Sequence, residues 1–130
     1  VSSSQAPAVF NPEELLSLIA ADPAYREIVL SLLSTIVENG TQPLDESWQA
    51  WRDGRAADSA RLLHKARGSL GSFGLKRFSA IALELELTLA GDPATATQLF
   101  TNAREELQAA IDAIRDWLKA QSQPAPKAEG

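Results

Sequence analysis

Apolar residues recur along most of the chain at three- and four-residue spacing, the period of an amphipathic helix. Leu15, Leu18 and Ile19 share one side of a short segment from Pro12 to about Ala21. Tyr25, Val29, Leu32, Leu33 and Ile36 form a stripe on a second segment, Pro23 to about Asn39, and Asn39-Gly40 ends it. Leu44, Trp48 and Trp51 are in register on a short segment from Leu44 to Asp53, closed by Gly54. From about Arg55 to Leu70 the inward positions are Ser59, Leu62, Leu63, Ala66 and Leu70. Gly71 and Gly74 mark a break. The next helix, about Leu75 to Ala90, places Leu75, Phe78, Ala82, Leu85 and Leu89 inside, and Gly91 stops it. The last runs to about Ala120 and has the cleanest stripe: Ala96, Leu99, Phe100, Ala103, Leu107, Ala110, Ile111, Ile114 and Leu118.

Three starts share one chemistry. NPEE at 11, DPAY at 22 and DPAT at 92 each put Asn or Asp before Pro. The side-chain oxygen accepts from free amides of the first turn, and Pro loses no helical hydrogen bond there. Short connections between amphipathic helices favour antiparallel neighbours. The expected fold is therefore all-α: an up-down antiparallel four-helix bundle of the longer helices, with the short N-terminal helix capping one end. The bundle is expected over residues 11–121. Residues 1–10 read as linker and 122–130 as a flexible tail, both rich in Ser, Pro, Ala and Gln without apolar period.

Composition narrows the function classes. The chain has 130 residues and a 45% hydrophobic content, the size of one domain. It has no cysteine, which excludes disulfides, thiolate metal sites and cysteine nucleophiles. It has no methionine, which points to a piece cut from a longer protein. No apolar run approaches the length of a membrane span. A net charge of −5 is poorly suited to nucleic acid or anionic membranes. The charge is uneven, however. Residues 55–77 carry six basic residues (Arg55, Arg61, Lys65, Arg67, Lys76, Arg77) against one acid, Asp58. That island is +5 in a remainder of −10, and it holds the single histidine, His64.

On a helix advancing about 100° per residue, His64 points about 145° away from the core stripe. Its face is shared by Ala57, Ala60, Gly68 and Gly71, with Arg67 at one edge and Arg61 at the other. A solvated face ordinarily carries Glu, Lys and Gln. This one is nearly bare, and Gly68 costs about 1 kcal/mol relative to Ala. Bare backbone around one imidazole lets another protein come close. A neutral imidazole nitrogen is a competent phosphoryl acceptor, and transfer needs the three equatorial oxygens neutralised. Arg67, one turn away, has the charge and donors for that, and Lys65 and Arg61 add weaker attraction. The plain alternative is a polar surface histidine beside glycines that mark a helix end. One histidine without cysteines offers too few ligands for a metal. There is no nucleophile elbow and no Gly-rich nucleotide loop.

The stretch LLHKARGSLGSFGLKRFSAIALELE resembles the signature of histidine-phosphotransfer (HPt) domains. In that family the phosphorylated histidine is followed by a variable residue, an apolar one, Lys or Arg, Gly and a small residue. His64, Lys65, Ala66, Arg67, Gly68 and Ser69 match in order. Gly74-Leu75 matches a Gly at fixed distance, and Leu85-Glu86 a Leu-Glu pair closing the following helix. The opening FNPEELLSLIAADPAYREIVLSLL also looks like the family's first helices, so the resemblance covers roughly residues 10–120. Departures are Leu63 for the common Ala, Ala66 for a larger residue, and Arg67 for the more frequent Lys; no binding role is carried to Glu86.

The resemblance implies a carrier rather than an enzyme. His64 would take a phosphoryl group from a receiver-domain aspartate and pass it to an aspartate on another receiver. Response-regulator receiver domains would be the partners and would bring the magnesium, so no cofactor is expected on this chain. Such domains often end hybrid sensor histidine kinases, which implies a cytoplasmic, monomeric domain within a membrane-anchored parent. Two other readings stay open: a helical binding module without transfer, and the phosphotransfer domain of a chemotaxis kinase.

Overall fold

The computed structural model describes residues 8–122, and among them the only regular elements are six helices. These are α1 (Glu13–Ala21), α2 (Tyr25–Asn39), α3 (Gln42–Arg52), α4 (Ala56–Gly71), α5 (Lys76–Thr88) and α6 (Pro93–Ser122). The expected linker and tail lie mostly outside the described residues.

The polar starts act as their chemistry requires. Asn11 Oδ1 accepts from the Glu13 amide at 2.9 Å and Asp22 Oδ1 from the Ala24 amide at 3.0 Å. Asp92 Oδ2 accepts from both the amide and the hydroxyl of Thr95, at 3.2 and 2.7 Å. Each satisfies a donor that a helix start leaves free.

The core follows the stripes of α4, α5 and α6. Leu63, Leu75, Phe78, Ala82, Leu85, Ala96, Ala103, Leu107, Ala110, Ile111 and Ile114 are buried to within about a hundredth of full exposure. Helix α4 lies between α3 and α5, α5 between α4 and α6, and α2 packs on α6 and α1. Helix α3 contributes more than its length suggests. It buries Leu44, Ser47 and Ala50, and Trp48 and Trp51 close on Phe100 of α6 at 5.0 and 5.6 Å between ring centroids. Trp51 Nε1 donates to the Leu89 carbonyl at 3.2 Å, which ties α3 to the end of α5.

Among the described residues the buried polar ones are Ser47 and Ser59, and they satisfy each other across α3 and α4. Ser47 Oγ donates to the Ser59 carbonyl at 3.0 Å and Ser59 Oγ to the Ser47 carbonyl at 2.9 Å. Small side chains let the two backbones come this close, and the pairing avoids the penalty of an unsatisfied buried hydroxyl.

The structure corrects three expectations. Tyr25 and Leu32, expected inside, are exposed, because α2 packs chiefly on α6 and α1 and buries fully Val29 and Leu33; Leu18 is exposed as well, because α1 packs chiefly on α2 and buries fully Leu15. Phe10, placed in the linker, is buried and meets Trp117 edge-on at 6.1 Å. Its position is set by Gly74. The Asn11 amide donates to the Gly74 carbonyl at 3.0 Å, and a Cβ on Gly74 would stand 2.1 Å from the Asn11 carbonyl oxygen. With φ at +93° as well, only glycine suits this crossing. The third correction, at Gly71, concerns the site.

Candidate functional site

His64 stands near the middle of α4 with 69% of its side chain exposed, as the helical arithmetic required. Leu63 and Ala66 on either side are buried, which fixes the rotation of the helix and so the outward aim of the imidazole. Ala57 and Gly68 of the same face are exposed, and nothing lies within 4 Å of where a Gly68 Cβ would be. Gly68 therefore serves no packing need inside this chain. Ala60 is half-buried against the core edge.

Gly71 does not belong to that open face. It is buried, and an added Cβ would sit 3.0 Å from Ser79 Oγ of α5. Its lack of side chain serves the close approach of α4 to α5. The wheel placed it outward because a wheel does not know where the neighbouring helix sits.

The charge island is also rearranged by tertiary contacts. Arg61 is held by Asp58 at 2.6 Å, and Arg55 reaches Asp58 at 3.2 Å and Asp53 at 3.5 Å. The Arg61 guanidinium, then that of Arg55, holds the Asp58 carboxyl below the usual carboxylate range. Arg77 pairs with Glu106 of α6. Lys65 and Lys76 have no ion pair among the described residues. Local sequence promised +5; carboxylates from α5, α6 and the α3–α4 turn offset much of it, and Lys65 is the free cation next to His64.

Glu86 is the residue that sequence reasoning left without a role. From α5 it reaches across to α4 with its side chain 20% exposed. Its Oε2 accepts from Arg67 Nε at 3.3 Å and its Oε1 lies 3.4 Å from His64 Nδ1. Arg67, 25% exposed, also places its NH2 group 2.9 Å from His64 Nδ1. A guanidinium only donates, so in this arrangement Nδ1 accepts and the ring proton is assigned to Nε2. The three residues form one cluster at the α4–α5 seam, with Nδ1 turned inward and Nε2 left to solvent. The signal that could have found Glu86 was its register. It lies one position after inward Leu85, on the edge of α5 that the Gly71–Ser79 approach turns toward α4.

Beside the site, on its other flank, a groove of about 390 Å³ runs between α2 and α4. Leu32, Ile36, Leu62, Ala66 and Phe73 make it largely apolar, and Lys65 stands at its edge. No helix among the described residues is long and apolar enough to cross a membrane.

A family model, the Hpt domain, matches residues 31–117, so the chain belongs to the Hpt domain family. It is a histidine-phosphotransfer module of two-component phosphorelays, a carrier type that works with receiver domains. No curated protein and no solved structure matches the chain.

Proposed function

We propose that the domain is a phosphorelay intermediate that accepts a phosphoryl group from a receiver aspartate on His64 and hands it to an aspartate of another receiver. The observation that carries this reading is the exposed imidazole of His64 beside exposed Gly68, with Nδ1 accepting from Arg67, Glu86 3.4 Å from it, and Nε2 without a protein partner among the described residues. An in-line reaction needs a free nitrogen with room for a second protein above it. The Nε2 lone pair attacks phosphorus, the bond from phosphorus to the aspartyl oxygen breaks, and the carboxylate leaves with the electron pair. The receiver supplies the magnesium. Arg67 lies close enough to share charge with the phosphoryl oxygens, and unpaired Lys65 attracts the carboxylate-rich rim of a receiver site. Gly68 and Ala57 leave approach space; Ala60 and Arg61 border it. The α2–α4 groove offers the receiver an apolar seat continuous with Lys65.

The parent is a hybrid sensor histidine kinase in this reading, with the domain cytoplasmic and monomeric. The test is transfer from a panel of receiver domains charged with radiolabelled acetyl phosphate and magnesium. Label on the domain that is acid-labile and alkali-stable is expected, and absent in His64→Gln. A fully labelled His64→Gln sinks the reading. Receiver binding without label would make the domain a binding module. Label only from an ATP-bound kinase domain would make it a chemotaxis-type phosphotransfer domain.

A further inference from the structure

The His64 cluster contains a contradiction that the transfer step must resolve. In the resting arrangement Arg67 donates to Nδ1, so the proton is on Nε2. Nε2 is the exposed nitrogen, and with a proton it has no lone pair to offer phosphorus. Glu86 Oε1, 3.4 Å from the same Nδ1, makes a hydrogen bond only if Nδ1 carries the proton. Arg67 and Glu86 therefore select opposite tautomers of one ring.

We propose that Arg67 and Glu86 form a substrate-operated tautomer switch on His64, in which Arg67 holds the ring unreactive until a phosphoryl group draws it away and Glu86 then holds the nucleophilic tautomer. The switch rests on the carrier reading above. Its geometry is divided between the two carboxylate oxygens. Oε2 holds Arg67 through Nε at 3.3 Å, which leaves the NH2 end free to turn. Oε1 faces Nδ1. An aspartyl phosphate brings anionic oxygens that outcompete a neutral imidazole nitrogen for the guanidinium, since charge-assisted hydrogen bonds are the stronger kind. When the NH2 end turns to them, solvent removes the Nε2 proton and supplies one to Nδ1, and Oε1 accepts its hydrogen bond. The exposure of His64 makes that exchange by water direct. The Nε2 lone pair then forms the N–P bond, the P–O bond to the aspartate breaks, and the carboxylate departs with its electron pair. The ring gains one positive charge, which the adjacent Glu86 carboxylate offsets. Onward transfer runs the same steps in reverse. In this scheme Arg67 touches the phosphoryl group, and Glu86 is a positioning residue acting through His64.

Two readouts test the switch. Long-range proton–nitrogen correlation spectra of the 15N-labelled free domain at about pH 8 report the tautomer. The wild type is expected as Nε2–H and Arg67→Met as Nδ1–H. Glu86→Leu should stay Nε2–H and lose acceptance from the charged receiver, by on the order of tenfold to a hundredfold in kcat with little change in KM. Glu86→Gln, whose amide oxygen can accept from Nδ1, should recover most of that loss, which a merely structural role would not require of it. Circular dichroism checks that each variant is folded. A wild type that takes no label overturns the carrier reading and the switch with it. A labelled wild type that is Nδ1–H when free, an unchanged tautomer in Arg67→Met, or a wild-type kcat in Glu86→Leu overturns the switch alone.

Discussion

Gly68 offers a test in which stability and function must move in opposite directions. It lies inside α4, four residues after His64, in ordinary helical backbone. A Cβ there would meet nothing within 4 Å, so Gly68→Ala introduces no clash and fills no cavity. The whole effect is then the difference in backbone entropy and helix propensity, about 0.8–1.0 kcal/mol in favour of Ala. For a domain of this size that raises Tm by roughly 3–6 °C. The Ser72 hydroxyl donates to the Gly68 carbonyl at 2.9 Å, a backbone bond that Ala keeps. The functional effect has the other sign. Residues four apart on a helix have Cβ atoms about 5–6 Å apart, so a side chain at 68 stands beside the imidazole where a receiver must come. Gly68→Gln should keep most of the stability gain and weaken acceptance about tenfold, seen in KM, which corresponds to about 1.4 kcal/mol of lost docking. Urea unfolding followed by Trp fluorescence, together with single-turnover transfer, measures both. A destabilised Gly68→Ala, or Gly68→Gln accepting at the wild-type rate, would refute the argument that this glycine is retained for approach.

Gly74, at the crossing with Asn11, should behave oppositely. Gly74→Ala meets the Asn11 carbonyl, strains a positive φ and displaces Phe10 from Trp117, for an expected loss of about 3–5 kcal/mol; combined with Phe10→Ala the losses should be far from additive in a double-mutant cycle. Ser47→Ala or Ser59→Ala should each cost about 1–2 kcal/mol by urea denaturation, with the pair less than additive, because each hydroxyl's partner is left buried. Thr95, chiefly by its hydroxyl, holds the Asp92 carboxyl below the usual carboxylate range. Its contribution to stability is therefore complete above the unfolded value, near pH 4, and is lost as pH falls through the lower folded value. Acid titration of unfolding should show this component in the wild type and lack it in Asp92→Ala.

Much of the fold was legible because α4, α5 and α6 meet neighbours along a single stripe. Where one face is buried, the 3.6-residue period records it, and Leu63, Phe78, Leu85 and Ile111 all lie where the pattern put them. The starts were legible too, since Asn11, Asp22 and Asp92 bond within their own first turns. The outward position of His64 follows from the same local arithmetic. Three features belonged to the tertiary structure alone. Which side of α2 is covered depends on α1 and α6, so Tyr25 and Leu32 could not be sorted from the stripe. Gly71 and Gly68 are alike in sequence, and only the approach of Ser79 separates a packing glycine from an open one. The charge around His64 is set by carboxylates distant in the chain, and Glu86, nineteen residues beyond Arg67, enters the site only because α5 lies against α4. Sequence determines what happens within a turn or two of helix, where geometry is fixed by the backbone. What one helix does to the chemistry of another is decided by how they pack.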